Sequence, residues 1–122
     1  HRLPFTFGWV AKRAIDRATV DIYLGPSRKD RRIRQDLARF LRGVNRRHTL
    51  AAAERLPAFT KPVLLAWATE DKLFPLSLAQ RLEKVLPDAR IVEIPDSYTF
   101  VPEDQPEALS RHILDFVSTY VA

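Results

Sequence analysis

The stretch from Lys61 to Thr99, KPVLLAWATEDKLFPLSLAQRLEKVLPDARIVEIPDSYT, constrains the fold of this chain more than any other. Its apolar run Val63 to Ala68 stops at the polar turn Thr69-Glu70-Asp71. An amphipathic segment from Leu76 to Leu86 follows, then a second apolar run, Arg90 to Ile94, and another polar turn. This patterning predicts strand, helix, strand. Parallel neighbours need a crossover, and a helix laid over one face of the sheet supplies the right-handed unit that chain chirality favours. The turns around Asp71 and around Ser97 to Thr99 are therefore expected at one carboxyl edge, where open α/β sheets bind ligands and do chemistry.

Around this core the chain reads as helices. His1 to Trp9 has no clear period and is expected to be irregular, packing one or two aromatics. Ala11 to Leu24 carries Ile15, Ala18, Ile22 and Tyr23 on one helical face, with Gly25-Pro26 as the expected stop. Ser27 and Asp30 form a capping-box-like start for the next helix. Its stripe, Ile33, Leu37, Phe40, Leu41 and Val44, recurs at i, i+4, i+7, i+8 and i+11, with Gly43 near the stop. Thr49 to Leu56 is a short helix with Thr49 as N-cap, and Pro57 to Pro62 is the join. A last helix, Pro106 to Tyr120, has Pro106 in its first turn and Leu109, Ile113, Phe116, Val117 and Tyr120 on its expected buried face. The expected class is thus α/β, with residues 1–56 a helical portion and 57–122 a βαβα portion.

Charge separates the same two portions. Residues 1–56 hold 14 Lys/Arg against 5 Asp/Glu, whereas residues 57–122 hold 6 against 10. Arg31, Arg32, Arg34, Arg39 and Arg42 fall mainly opposite the Ile33 to Val44 stripe. A basic face can hold a phosphate backbone. However, there is no aromatic interleaving, Gly-rich loop or second helix placed for groove insertion, so a solvated face is expected rather than a nucleic-acid partner. No run of eighteen apolar residues and no signal-peptide pattern occurs, so a cytoplasmic setting without a membrane partner is expected. The 122 residues include no cysteine, which excludes disulfides and thiolate metal sites. They also include no methionine, even at position 1, and the expectation is a piece of a longer protein.

The run from Pro62 to Phe116 contains P-V-L-L-x-W-x-x-E-D-x-x-x-P, L-P-D-A-R-I-V-E-I-P and F-V-P-E-D-Q-P-E-A-L. It resembles the last two strands and helices of an α/β-hydrolase, and residues 1–56 resemble the end of the helical cap inserted before those strands. The resemblance implies a nucleophile, an acid after a late strand and a His after the last strand. Asp71 falls on the acid position, where a carboxylate orients an imidazole and stabilises its protonated form. Turn chemistry capping the helix after Pro75 is the plainer role for Asp71 and Glu70.

Members of that family typically read I-P-x-x-G-H-F at the base position. Here the chain reads Ile94-Pro95-Asp96-Ser97-Tyr98-Thr99-Phe100, so Thr99 stands in place of the His. A Thr hydroxyl takes up no proton near neutral pH, and a serine protease loses about 10⁶-fold in rate without its His. His1, His48 and His112 lie away from the expected edge and read as ordinary packed or exposed histidines. None of Ser27, Ser77, Ser97, Ser110 and Ser118 sits on a G-x-S-x-G elbow.

No metal cluster, phosphate loop or dinucleotide fingerprint occurs, so no metal or cofactor is expected. Leu73, Phe74, Tyr98 and Phe100, with Trp9, are candidate contacts for a small apolar molecule, although core and lid packing explains each of them equally well. The resemblance implies a parent that hydrolyses esters or related bonds in such molecules, this piece supplying the acid position. The alternative is a non-catalytic module that keeps lid and pocket to bind a ligand or a protein. Cut from its parent, Val63 to Ala68 would present an unpaired apolar edge, and self-association through it is expected.

Overall fold

The computed structural model describes residues 7–120. The chain divides into two compact units, one of Ile15–Arg55 and the other of the residues up to Ala14 together with Leu56–Ala122. The described residues 7–14 thus group with the sheet and not with the helices that follow them. This differs from the division at residue 56, because Val10, Lys12 and Arg13 bond to Asp96, Phe100 and Asp104, which follow the second strand.

In the sheet unit, β1 (Val63–Ala68) and β2 (Ala89–Ile94) pair in parallel, from Val63 opposite Ala89 to Ala68 opposite Ile94. The far edge of β1 pairs with no strand among the described residues. Before β1 come the single turn α1 (Phe7–Val10) and a 3₁₀ turn at Leu56–Ala58. The crossover helix α5 (Leu76–Val85) packs on both strands, with Ala79 fully buried. A short α6 (Val101–Asp104) leads into α7 (Pro106–Tyr120), which also packs on both strands.

The core sits at the carboxyl ends of the strands. Ala68, Ile94 and Val101 are buried there, with Ala66, Ala108 and Leu109 packed around them. Burying a side chain such as Ile94 contributes about 1.5–3 kcal/mol, so the best-packed part of the unit lies directly under the two turns. The stripe expected to be buried on α7 is covered only in part. Leu109 and Phe116 are half-buried, while Ile113, Val117 and Tyr120 are exposed. A helix of 15 residues is about 22 Å long, and two strands about 4.8 Å apart are too narrow to cover it.

The helical unit holds three helices: α2 (Arg17–Lys29), α3 (Arg31–Gly43) and α4 (Arg46–Ala53). Their starts differ from expectation. Asp16 caps α2, its carboxylate accepting from the amides of Ala18 and Thr19. The helix then runs through Gly25-Pro26 to Lys29. A proline clashes with the Cβ of a helical residue before it; Gly25 has no Cβ, so the helix passes. Ser27 accordingly lies inside α2, and Asp30 alone caps α3 by accepting from the Arg32 amide. Asn45, not Thr49, caps α4, while the Thr49 hydroxyl donates to the Arg46 carbonyl inside the helix. No helix among the described residues is long and apolar enough to cross a membrane.

Candidate functional site at the carboxyl edge

The two turns leave the carboxyl ends of β1 and β2 side by side, because Ala68 and Ile94 are register partners. The Thr69 amide extends the ladder by one bond to the Ile94 carbonyl, at 3.1 Å. Asp71 is two residues further on. Its Oδ1 accepts from the amides of Leu73 (2.8 Å) and Phe74 (2.9 Å), which makes it the organiser of the turn before α5. The same oxygen accepts from the Thr99 hydroxyl at 2.8 Å. Turn chemistry and a contact across the edge therefore coexist in one carboxylate. The turn closes where the Trp67 indole N–H donates to the Phe74 carbonyl at 2.8 Å.

On the β2 side the chain turns through Asp96, which has a left-handed backbone (φ 56°). Asp is one of the few residues besides Gly that adopts this conformation routinely. Ser97 is fully buried and its hydroxyl donates to the Ile94 carbonyl. Tyr98 is half-buried, and the Lys72 ammonium lies 4.1 Å from its ring centroid, a cation–π contact between the two turns.

Of the candidate apolar contacts, Leu73 and Phe74 are exposed, at 44% and 49%, and Trp9 is 50% exposed. Phe100 is half-buried, and its amide donates to the Val10 carbonyl at 2.6 Å. His112 is half-buried on α7 and His48 exposed on α4. Neither histidine has a hydrogen bond to Asp71 among the described residues, and His1 lies outside them.

The sequence offered Glu70 only as turn chemistry and gave no part to Lys12, Arg13 and Asp96, which join it in a second group at this edge. The Lys12 ammonium bonds both carboxylate oxygens of Glu70, at 2.8 and 2.7 Å, and Asp96 Oδ1 at 2.9 Å. Arg13 bonds Asp96 Oδ2 at 2.8 Å. These bonds act on both sides of the cluster. Glu70 and then Asp96 raise the Lys12 pKa, and Lys12 followed by Arg13 lowers that of Asp96.

Beneath them Asp104 is completely buried and takes three backbone N–H bonds, from Lys12, Arg13 and Tyr98. Asp104 was visible in the phrase F-V-P-E-D-Q-P as a charged residue just before a helix-starting proline. Nothing in the sequence pointed to Lys12, which lies 92 positions away.

Chemically, the edge presents a fixed carboxylate whose neighbour at position 99 donates a hydrogen bond to it. A donor there can be oriented and its partial positive charge stabilised. Thr99 cannot itself accept a proton in the neutral range. Among the described residues no group of three His, Cys, Asp or Glu side chains is placed to hold a metal.

No protein-family model matches the chain. It is 34% identical over 106 residues to the uncharacterized hydrolase YugF of Bacillus subtilis, a match covering 87% of this chain and 37% of that protein. It is 36% identical over 66 residues to haloalkane dehalogenase 2 of Mycobacterium tuberculosis, covering 52% of this chain and 23% of the dehalogenase. The chain thus spans about a third or less of the curated relatives it matches. Among solved structures, it is similar to a thermophilic esterase from Thermogutta terrifontis, with a TM-score of 0.55 and 25% identity over 57% of this chain and 25% of that one. It shares its fold with MGS-MChE2, an α/β-hydrolase enzyme from a lagoon-sediment metagenome, with a TM-score of 0.53 and 22% identity over 55% of this chain and 31% of the other.

Proposed function

The chain belongs to the α/β-hydrolase fold family, and from that premise we propose that it is the carboxyl-terminal part of a hydrolase, supplying the acid position, Asp71, with Thr99 at the base position. One observation carries the reading. The Thr99 hydroxyl meets the Asp71 carboxylate at 2.8 Å, across the carboxyl ends of two parallel strands. Residue 99 is therefore where an imidazole would receive orientation from Asp71. The relatives are named as a hydrolase, a dehalogenase and an esterase, which supports hydrolysis by a longer parent of ester or related bonds in small apolar molecules. Leu73, Phe74, Tyr98 and Phe100 are the candidate contacts for such a molecule at this edge. Residues 15–55 would then belong to the cap. The names of the relatives do not favour the non-catalytic module.

This chain carries no G-x-S-x-G, so it should not turn over short acyl p-nitrophenyl esters by itself. Turnover by the purified chain that disappears with Asp71→Ala would overturn the reading. A positive test installs the missing group. In Thr99→His the new imidazole should titrate above the ordinary histidine value, because the Asp71 carboxylate favours its charged form. Adding Asp71→Asn should abolish that rise, as read by NMR. The open edge of β1 leads to a further expectation, that light scattering finds species larger than the 14.1 kDa monomer at high concentration. A sharp monomeric profile would refute that part.

A further inference from the structure

Position 99 is flanked by two backbone bonds that its own side chain does not make. On one side the Tyr98 amide donates to Asp104 Oδ2 at 2.9 Å; on the other the Phe100 amide donates to the Val10 carbonyl at 2.6 Å. Both partners belong to elements outside the turn.

Asp104 is the more specific of the two. It is completely buried, yet among the described residues no ion pair to either oxygen occurs. Oδ1 accepts from the Arg13 amide at 2.8 Å, and Oδ2 accepts from the Lys12 amide at 2.8 Å as well as from Tyr98. A buried carboxylate is costly unless it is fully hydrogen-bonded, and backbone N–H groups satisfy this one. The Lys12 side chain then closes the path, because its ammonium holds Glu70, the neighbour of Asp71. From Asp71 the contacts run through Glu70, Lys12, Asp104 and Tyr98 to Thr99, and back to Asp71 through the Thr99 hydroxyl.

We propose that Asp104 is the positioning residue of this edge: by clamping the Tyr98 amide to the Lys12-Arg13 backbone it sets where the side chain at position 99 stands relative to Asp71. The proposal rests on the reading of Asp71 and position 99 as acid and base positions, and it adds a role for a residue that touches neither side chain. A carboxylate is needed there because both of its ends must accept. In Asp104→Asn the remaining oxygen can still take the Lys12 and Tyr98 amides and only the Arg13 bond is lost, whereas Asp104→Ala removes every acceptor of the clamp.

The test uses the Thr99→His chain and reads the imidazole pKa by NMR. Asp104→Ala should remove at least about half of the rise that Asp71 induces, since a small displacement weakens so short a contact strongly. Asp96→Asn is the control. It deletes an exposed carboxylate of the same edge, and with it the ion pairs to Lys12 and Arg13, without touching the Tyr98 amide, and should have the smaller effect. If Asp71→Asn fails to abolish the rise, the acid–base reading itself is wrong. If Asp71→Asn abolishes it and Asp104→Ala does no more than Asp96→Asn, only the positioning inference falls.

Should Asp104→Ala fail to fold, the unsubstituted chain still decides the matter. The amides of Lys12, Arg13 and Tyr98 should be protected from hydrogen exchange as one unit, with closely similar opening free energies. Exchange at the rate of free turn amides, or at three unrelated rates, would overturn the proposal.

Discussion

In the sheet unit Ala68, Ile94 and Val101 are almost wholly covered, whereas in the unit Ile15–Arg55 no helical side chain is buried and Phe40 of α3 is 69% exposed. Yet α3 has the cleaner periodicity. Its large apolar residues Ile33, Leu37, Phe40 and Leu41 fall on one arc, mainly opposite five arginines, while β1 is only a six-residue apolar run. The contrast separates two properties that a sequence pattern mixes together. Periodicity determines which face of an element is apolar; burial needs a second surface opposite that face. Strand, crossover and strand supply both surfaces within one short stretch. Successive helices supply stripes, and α2 with α3 is too small a pair to enclose them.

Substitutions can break or sharpen this contrast. The largest effect is expected for Ile94→Ala, which should cost about 3 kcal/mol in denaturant unfolding, whereas Phe40→Ala should cost under about 0.5 kcal/mol. Equal losses would show that the helical unit has a core after all. Next comes Asp71→Ala. It leaves the amides of Leu73 and Phe74 and the Thr99 hydroxyl without their shared acceptor, at a cost of about 1–2 kcal/mol. A neutral result would mean that the two turns are not coupled through it.

In the helical unit a gain is expected. Gly43 ends α3 with a helical backbone, and a Cβ added there meets nothing within 4 Å. Gly43→Ala should therefore stabilise that unit by about 0.5–1 kcal/mol, seen as increased helicity by circular dichroism. A loss of helicity would contradict the exposed environment of that end.

The smallest effect concerns acid. Lys12, and after it Arg13, lower the Asp96 pKa in the folded chain. The unfolded chain therefore binds the proton more readily. The stability this carboxylate contributes is present above its unfolded pKa and is lost as pH falls through the lower folded value. Asp96→Asn, which keeps a residue that tolerates the left-handed backbone, should slightly flatten the acid limb of the stability profile. An unchanged limb would show that solvent screens the cluster completely.

How legible the molecule was depends on the range of the forces involved. The limits of β1 and α7 and the placement of Asp71 and Thr99 at one edge followed from pattern and from the family phrase. The starts of α2 and α4 did not, since Asp16 and Asn45 competed with nearby Thr, Ser and Gly-Pro cues whose outcome depends on backbone geometry. The coverage of α7 was overestimated because a stripe does not state the width of the sheet beneath it.

By itself the sequence determined the local terms: which runs are apolar, which residues can turn the chain, and that position 99 carries a hydroxyl. Only the tertiary structure decided which distant groups share a carboxylate. Asp104 meets Arg13 across 91 positions and Lys12 across 92, and Lys12 meets Glu70 across 58. Such contacts arise from the folding of the whole sheet unit, where burial makes a hydrogen-bonding partner obligatory for Asp104 but leaves no periodic trace to say which one it will be.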